Sequence, residues 1–191
     1  MSSDRALARA SRRTALWSLG YGLYRVYYAA GGTLGMYGTP VSVGEWRRVN
    51  AIGGAILFAT AALALGVVTI WPHRRARLVL LAFCWIAIVG CVSHAVIDIG
   101  QRIASLSGAL TIDYPFWRII DRRSADLQDL LFNEPWFFIE GLLWASVAWN
   151  GGLRASPRRH RWIWSAVAAT VASTVVGLLS AFGVIGRFIV G

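Results

Sequence analysis

Apolar residues fall into five long runs along the chain, and polar links separate them. Each run approaches or exceeds the roughly 20 residues that a helix needs to cross a bilayer. The runs cover approximately residues 14–31, 49–71, 78–100, 133–151 and 162–186. This pattern predicts an all-α integral membrane protein in which residues 1–191 form one bundle of about five transmembrane helices.

The link at residues 101–132 is the longest and mixes charged with apolar residues. Apolar side chains that recur among charges predict one or two amphipathic helices lying at the membrane surface. Such a segment either covers a site or only packs at the interface, and the sequence leaves both readings open. The glycine-rich stretch at 31–40 is interpreted as a connecting turn, because a phosphate-binding loop would need a strand before it and a helix after it.

Three residues at the start of the fourth run have the character of a helix beginning. Asn133 is a predicted N-cap, and Pro135 suits the first helical turn. Glu134, between them, complements the positive end of the helix dipole.

Composition supports the membrane assignment. The 191 residues are 57% hydrophobic and 15% charged, with 10 tryptophans. All 19 basic residues are arginine, which gives a formal net charge of +10. A basic protein of this kind could bind nucleic acid, but the arginines cluster in the links between apolar runs. Membrane topology explains that distribution, so no nucleic-acid partner is predicted.

The arginines also predict an orientation. Eleven lie in the N-terminal segment and in the short links at 72–77 and 152–161, which fall on one side of five spans. Seven lie on the other side, four of them in the long link beside four aspartates. Short cytoplasmic segments carry the arginine excess. We therefore expect a multipass plasma-membrane protein with a cytoplasmic N-terminus, and with its C-terminus and the 101–132 loop outside.

Four ionisable residues interrupt the apolar runs: Arg25, His94, Asp98 and Glu140. A charged side chain at the bilayer centre costs roughly 2.5–3.5 kcal/mol, so it usually faces protein or trapped water. His94 and Asp98 are four residues apart and share one helix face. At about 1.5 Å per residue, all four residues fall within roughly 10 Å of the outer boundary.

This common depth predicts a polar site beneath the long loop, to which Asp126 would contribute. The predicted ligand-binding residues are Arg25, His94, Asp98, Asp126 and Glu140. In a catalytic reading, His94 carries a proton while Asp98 and Glu140 orient it or stabilise charge. The competing reading is an ion pair between Arg25 and Glu140 or Asp98 that only fixes helix register. The sequence favours neither the functional site nor the ion pair over the other.

The cysteines suggest no further chemistry. Cys84 and Cys91 are seven residues apart on one predicted helix, too far for a disulfide. A Cys/His metal site can be drawn from Cys91 and His94, but it would need further soft ligands nearby, and the expected reading is two small residues that pack in a helix as apolar ones do. No metal and no cofactor are predicted.

Two motifs resemble a known family. Ala29–Gly35 (AAGGTLG) after the first run and Leu130–Phe138 (LLFNEPWFF) at the fourth are similar to segments of a family of small multipass actinobacterial membrane proteins of unknown function. The resemblance implies an actinobacterial plasma-membrane protein and implies no activity. The position of Glu140 is more often apolar in that family.

A second resemblance concerns the site alone. His94 and Asp98 on one helix, then Asp126, then Glu140 in the next span, are similar to the arrangement in the emopamil-binding and sigma-2 receptor superfamily. There a histidine and acidic groups in a membrane cavity handle sterols or cationic amphiphiles. This chain carries Asp98 where a longer glutamate is usual.

These features lead to three expectations for function. The first is a non-enzymatic protein that binds a membrane lipid or another amphiphile, or a partner membrane protein, through an outer-leaflet polar pocket. The second is a membrane-embedded, proton-transferring isomerase acting on a lipid or sterol-like substrate. The third is a proton-coupled transporter, although five spans contain no obvious inverted repeat.

Overall fold

The computed structural model describes residues 2–186, which form five long helices, one short helix and a two-stranded sheet. The helices are α1 (Ser2–Ala29), α2 (Val43–Ile70), α3 (Arg74–Leu106), α4 (Arg122–Gln128), α5 (Glu134–Asn150) and α6 (Arg159–Ala181). Strand β1 (Gly38–Pro40) pairs with β2 (Trp117–Ile120), a π-helical turn (Asp129–Asn133) joins α4 to α5, and a 3₁₀ turn (Leu153–Ala155) follows α5. The prediction of a mainly helical chain with five long helices is confirmed.

Three of these helices, α2, α3 and α6, are long and apolar enough to cross a membrane. Helix α5 has only 17 residues, and α1 carries several arginines. Many large apolar side chains lie exposed on the long helices, including Leu16, Leu65, Ile86, Trp164 and Val171. The exposure of so many large apolar side chains favours a membrane environment.

Most of the long helices extend beyond the predicted apolar runs. Helix α1 begins at Ser2 instead of residue 14, and α3 continues to Leu106 instead of residue 100. Arginine is a good helix former, so a helix continues through a basic link after the apolar run has ended. Helix α2 begins at Val43, where the Ser42 hydroxyl accepts a hydrogen bond from the Glu45 amide and caps the helix.

The long helices pack side by side in the order α2, α1, α5, α3, α6. Helix α5 is therefore central, which explains why a segment that is apolar on every side is buried. At one end of the bundle an apolar core surrounds Trp144, with Val67, Cys84 and Val147 packed around it. Polar and charged side chains occupy the opposite end, where α3 ends and α5 begins. Arg187, one of the arginines used to predict orientation, lies outside the described residues.

The strand pair differs from what the sequence predicts. Strand β1 ends the 31–40 connection, and β2 lies in the 101–132 segment, where only helices were expected. The flanking amide of Val41 donates to the Phe116 carbonyl at 2.9 Å, and the amide of Asp121 donates to the Tyr37 carbonyl at 2.8 Å. The two connections that lie at the polar end of the bundle are thus tied to each other.

Candidate functional site

The candidate site lies where the last third of α3 meets the first turn of α5. His94 Nε2 is 3.6 Å from Asp98 Oδ2 and 3.7 Å from Glu134 Oε2. One ligand atom from each of the three residues lies within 4.8 Å of the other two. The predicted pairing of His94 with Asp98 is present, and Glu134 completes a cluster of one imidazole and two carboxylates.

Glu134 is the least exposed member of this cluster. Its side chain is 4% exposed, whereas the His94 side chain is 45% exposed. Among the described residues, no hydrogen-bond donor reaches Glu134 Oε2, although this oxygen is buried. A buried carboxylate oxygen without a donor is costly. The cluster therefore contains a buried acceptor that faces a solvent-accessible imidazole.

Local backbone structure places Glu134 in this position. The chain enters α5 from the π-helical turn, so Asn133 is already helical and its side chain does not cap the helix. Asn133 therefore lies at the predicted position directly before α5 but does not act as a cap. The side-chain nitrogen Nδ2 of Asn133 instead donates to Asp129 Oδ1 at 2.6 Å. With no break before α5, Glu134 projects towards α3 from a continuous helix.

Next to the cluster, Arg102 joins α3 to the α4 region. Arg102 lies 2.8 Å from Asp129 Oδ2 and 3.3 Å from Asp126 Oδ1. Asp126 also accepts hydrogen bonds from the hydroxyls of Ser105, at 2.6 Å, and Tyr114. The predicted site residue Asp126 is thus buried and fully engaged with partners other than His94.

Burial perturbs two groups of this network outside the candidate membrane spans. Burial raises the pKa of Asp129 above its ordinary range, and the nearby Arg102 guanidinium opposes this effect only in part. Burial also raises the pKa of Tyr114, and the hydrogen bond from its hydroxyl to Asp126 adds to the rise.

Glu140 lies elsewhere. Its Oε1 accepts hydrogen bonds from the Ser18 hydroxyl at 2.7 Å and from Trp144 Nε1 at 2.9 Å. Glu140 follows Glu134 by six residues, which corresponds to about 9 Å along the helix and to a different face. The structure therefore places Glu140 between α5 and α1, apart from the His94 cluster.

Arg25 also lies apart from the cluster. Its guanidinium donates to Asn50 Oδ1 at 3.1 Å and sits over the Tyr21 ring at 5.4 Å from the centroid. It lines a small cavity of about 30 Å³ behind the strand pair, which has room for a water molecule or two. The ion pair expected between Arg25 and Glu140 or Asp98 is replaced by this contact with a neutral amide on α2.

Carboxyl groups outnumber basic groups around the cluster. The charges of Asp98, Asp129 and Arg102 all act on Glu134, and Asp126 adjoins Arg102. Four carboxylates thus surround one guanidinium and one imidazole. A site with this composition suits a cation or the movement of a proton.

Sequence reasoning missed Glu134, Asp129 and Arg102. Glu134 was assigned only to the helix dipole, although its position at the start of α5 was predicted. The predicted topology could have identified it. Consecutive spans run antiparallel, so the first turn of α5 lies beside the last third of α3, which carries His94 and Asp98.

Comparisons with protein-family models, with curated proteins and with solved structures give no significant match. The two resemblances noted from the sequence remain predictions.

Proposed function

We propose that this chain is an integral membrane protein of five spans that binds a cationic ligand at the His94–Asp98–Glu134 cluster. The three apolar helices support membrane insertion. Helices α1 and α5 pack between α2 and α3, so they would cross the bilayer with them. The arginine distribution supports a cytoplasmic N-terminus and an extracytoplasmic cluster. The resemblance noted from the sequence supports an actinobacterial plasma membrane.

The observation that carries the binding function is the excess of carboxylates around the half-exposed His94. An ammonium head group would supply the donors that Glu134 Oε2 lacks and would pair with the carboxylates around His94. The ring of Phe137 packs edge-on against the His94 ring, with centroids 4.6 Å apart, and provides an apolar wall beside the polar atoms. A cationic amphiphile from the outer leaflet combines both properties.

A second function, proton transfer, is favoured by the position of His94 between two carboxylates. Asp98 and Glu134 flank its Nε2 at 3.6 and 3.7 Å. An imidazole held by carboxylates is a common acid or base in enzymes. In this version the protein is an isomerase acting on a lipid or sterol-like substrate. Glu134 then replaces Glu140 in the orienting role, because Glu140 is bonded to Ser18 and Trp144.

A partner membrane protein, expected from the sequence as the alternative to an amphiphile, would bind at α6. Only 11% of its most apolar window is buried. Part of its surface is already used within the chain, because a Cβ at Gly177 would lie 2.2 Å from Ile97 Cδ1 of α3. The remaining exposed face is where such a partner would bind.

Native mass spectrometry of the gently purified full-length protein, with extraction of the bound lipids, tests the binding function. We compare the wild type with His94→Ala and Glu134→Gln. Glu140→Gln is the matched control, because it changes a second buried glutamate of α5 outside the cluster. A bound amine that is lost in the first two variants and kept in the control supports the function. Identical lipid profiles in all four proteins would reject it.

The same samples separate the alternatives. A bound lipid whose double bond has moved in the wild type, and has not moved in His94→Ala, indicates the isomerase. A protein that co-purifies with all variants and is lost when exposed residues of α6 are changed indicates the partner protein.

A further inference from the structure

We propose that His94, Asp98 and Glu134 bind a divalent metal ion of the zinc class. This inference rests on the proposed function in that it uses the same cation-binding cluster, with a metal ion in place of the ammonium group. It departs from the sequence analysis, which predicted no metal, since Glu134 had not been assigned to the site.

The spacing of the three ligand atoms fits a metal site. Zinc bonds to histidine nitrogen and carboxylate oxygen are about 2.0–2.2 Å long, so adjacent ligand atoms of a tetrahedral site lie about 3.4 Å apart. His94 Nε2 is 3.6 Å from Asp98 Oδ2 and 3.7 Å from Glu134 Oε2. Side-chain shifts of a few tenths of an ångström would bring all three atoms to bonding distance.

A second observation, independent of the spacing, is the buried and unpaired oxygen of Glu134. The residue is 3% exposed, and Oε2 has no donor among the described residues although it faces His94. A protein rarely keeps such an oxygen without a partner. A metal ion between Glu134 and His94 is a partner that compensates both its charge and its lost hydration.

The neighbouring residues hold the ligands in position and leave their metal-facing atoms free. Gln101 Nε2 donates to Asp98 Oδ1 at 3.1 Å, which leaves Oδ2 to face His94. Arg102 engages Asp126 and Asp129, so these two carboxylates are held on the guanidinium and not at His94. Hydrogen bonds to the far atom of a ligand are the usual way in which proteins orient metal ligands.

The donor set selects the class of metal. An imidazole nitrogen favours zinc and neighbouring transition metals, whereas magnesium and calcium prefer oxygen ligands alone. Three protein ligands leave one position of a tetrahedral site open. The His94 side chain is 45% exposed, so the cluster is open to the outside of the bundle.

The test uses the full-length protein in detergent, purified without a polyhistidine tag and stripped with a chelator. Zinc binding is measured by competition with a chromogenic chelator, and bound zinc is counted by elemental analysis. The background protein carries His73→Gln and His160→Gln, which remove two exposed histidines far from the cluster in the sequence. In this background, Glu134→Gln is compared with Glu140→Gln, its matched control on α5.

We expect one zinc ion per chain in the background protein. Affinity should fall about ten-fold or more in Glu134→Gln, Asp98→Asn and His94→Gln, and should stay unchanged in Glu140→Gln. A large excess of Mg²⁺ should not compete. Because His94 is half-exposed, we expect His94→Gln to fold. This variant tests the site if Glu134→Gln does not fold. The proposal would be overturned if the protein bound no zinc, if all variants bound zinc with equal affinity, or if Mg²⁺ displaced the zinc.

One further measurement separates this inference from the proposed function. The metal-free protein is offered an amphiphilic amine, and binding is followed by native mass spectrometry. If the amine binds at His94 and Glu134 while zinc does not bind, the metal site is wrong and the cation-binding function stands. If neither cation binds, both are wrong.

Discussion

Glu134 faces His94 of α3, whereas Glu140, six residues further along α5, faces Ser18 of α1. Both glutamates are buried, and within residues 2–186 Oε2 of each lacks a hydrogen-bond donor. Oε1 of Glu140, in contrast, accepts hydrogen bonds from Ser18 and Trp144 in the helical core. The same helix therefore carries one carboxylate suited to a ligand and one that serves packing between helices.

Truncation of Glu140 should destabilise the bundle. Glu140→Ala leaves the buried Nε1 of Trp144 without an acceptor, while Ser18 retains the Thr14 carbonyl, 3.1 Å away, as an alternative. Leaving one buried donor unpaired costs about 1–3 kcal/mol. Glu140→Gln keeps an acceptor oxygen and should cost less. Tryptophan fluorescence during equilibrium unfolding in detergent measures both variants, and equal losses would contradict this role of Trp144.

Removal of Arg102 should be more damaging. Its guanidinium compensates two buried carboxylates, those of Asp126 and Asp129. Arg102→Met leaves both carboxylates uncompensated, and breaking a buried pair in this way costs about 3–5 kcal/mol. The double variant Arg102→Met/Asp129→Asn removes one stranded charge and should recover part of the loss in the same unfolding assay. A double variant less stable than Arg102→Met would show that Arg102 does not act by compensating charge.

The sequence predicted the long helices because their apolar runs are long and strongly patterned. It also predicted the contact between His94 and Asp98, because a spacing of four residues is local to one helix. Glu134 lies 40 positions from His94, and its contact depends on which helices are neighbours, which periodicity does not reveal. The order α2, α1, α5, α3, α6 places Arg25 beside Asn50 and Glu140 beside Ser18.

The strand pair was missed for a related reason. Gly38–Pro40 and Trp117–Ile120 are only 3 and 4 residues long. Each is too short to show alternation, and the pairing joins positions as far apart in the sequence as Gly38 and Ile120. Equal depth was likewise insufficient to predict a common site, because residues at one level can face different neighbours.

A substitution at Gly38 should separate the two connections. A Cβ at this position would lie 2.2 Å from the Ile119 carbonyl oxygen, so Gly38→Ala should displace β1 from β2. We expect the amides of Val41 and Asp121, which donate across the pair, to exchange hydrogen about ten-fold faster or more. Gly44→Ala is the control, because its nearest neighbour would be 3.9 Å away. Unchanged exchange in Gly38→Ala would mean that the pair does not hold these connections.

The pH dependence of stability should differ in sign between two aspartates of the α4 region. Burial raises the pKa of Asp129, so between the ordinary aspartate pKa of about 3.9 and this raised value the folded chain binds more protons than the unfolded chain. The contribution of Asp129 is therefore complete below the ordinary pKa and is lost as pH rises through the raised one. For Asp121, hydrogen bonds from Ser124 lower the pKa, so its contribution is present above pH 3.9 or so and is lost as pH falls.

Unfolding of the wild type, Asp129→Asn and Asp121→Asn at several values between about pH 3 and 6 tests this difference. The stability of the wild type relative to Asp129→Asn should decrease as pH rises, because the buried carboxyl must ionise in the folded chain. Relative to Asp121→Asn it should decrease as pH falls, because the exposed cap loses its charge when it binds a proton. Slopes of the same sign for both variants would show that the Arg102 guanidinium, and not burial, dominates the environment of Asp129.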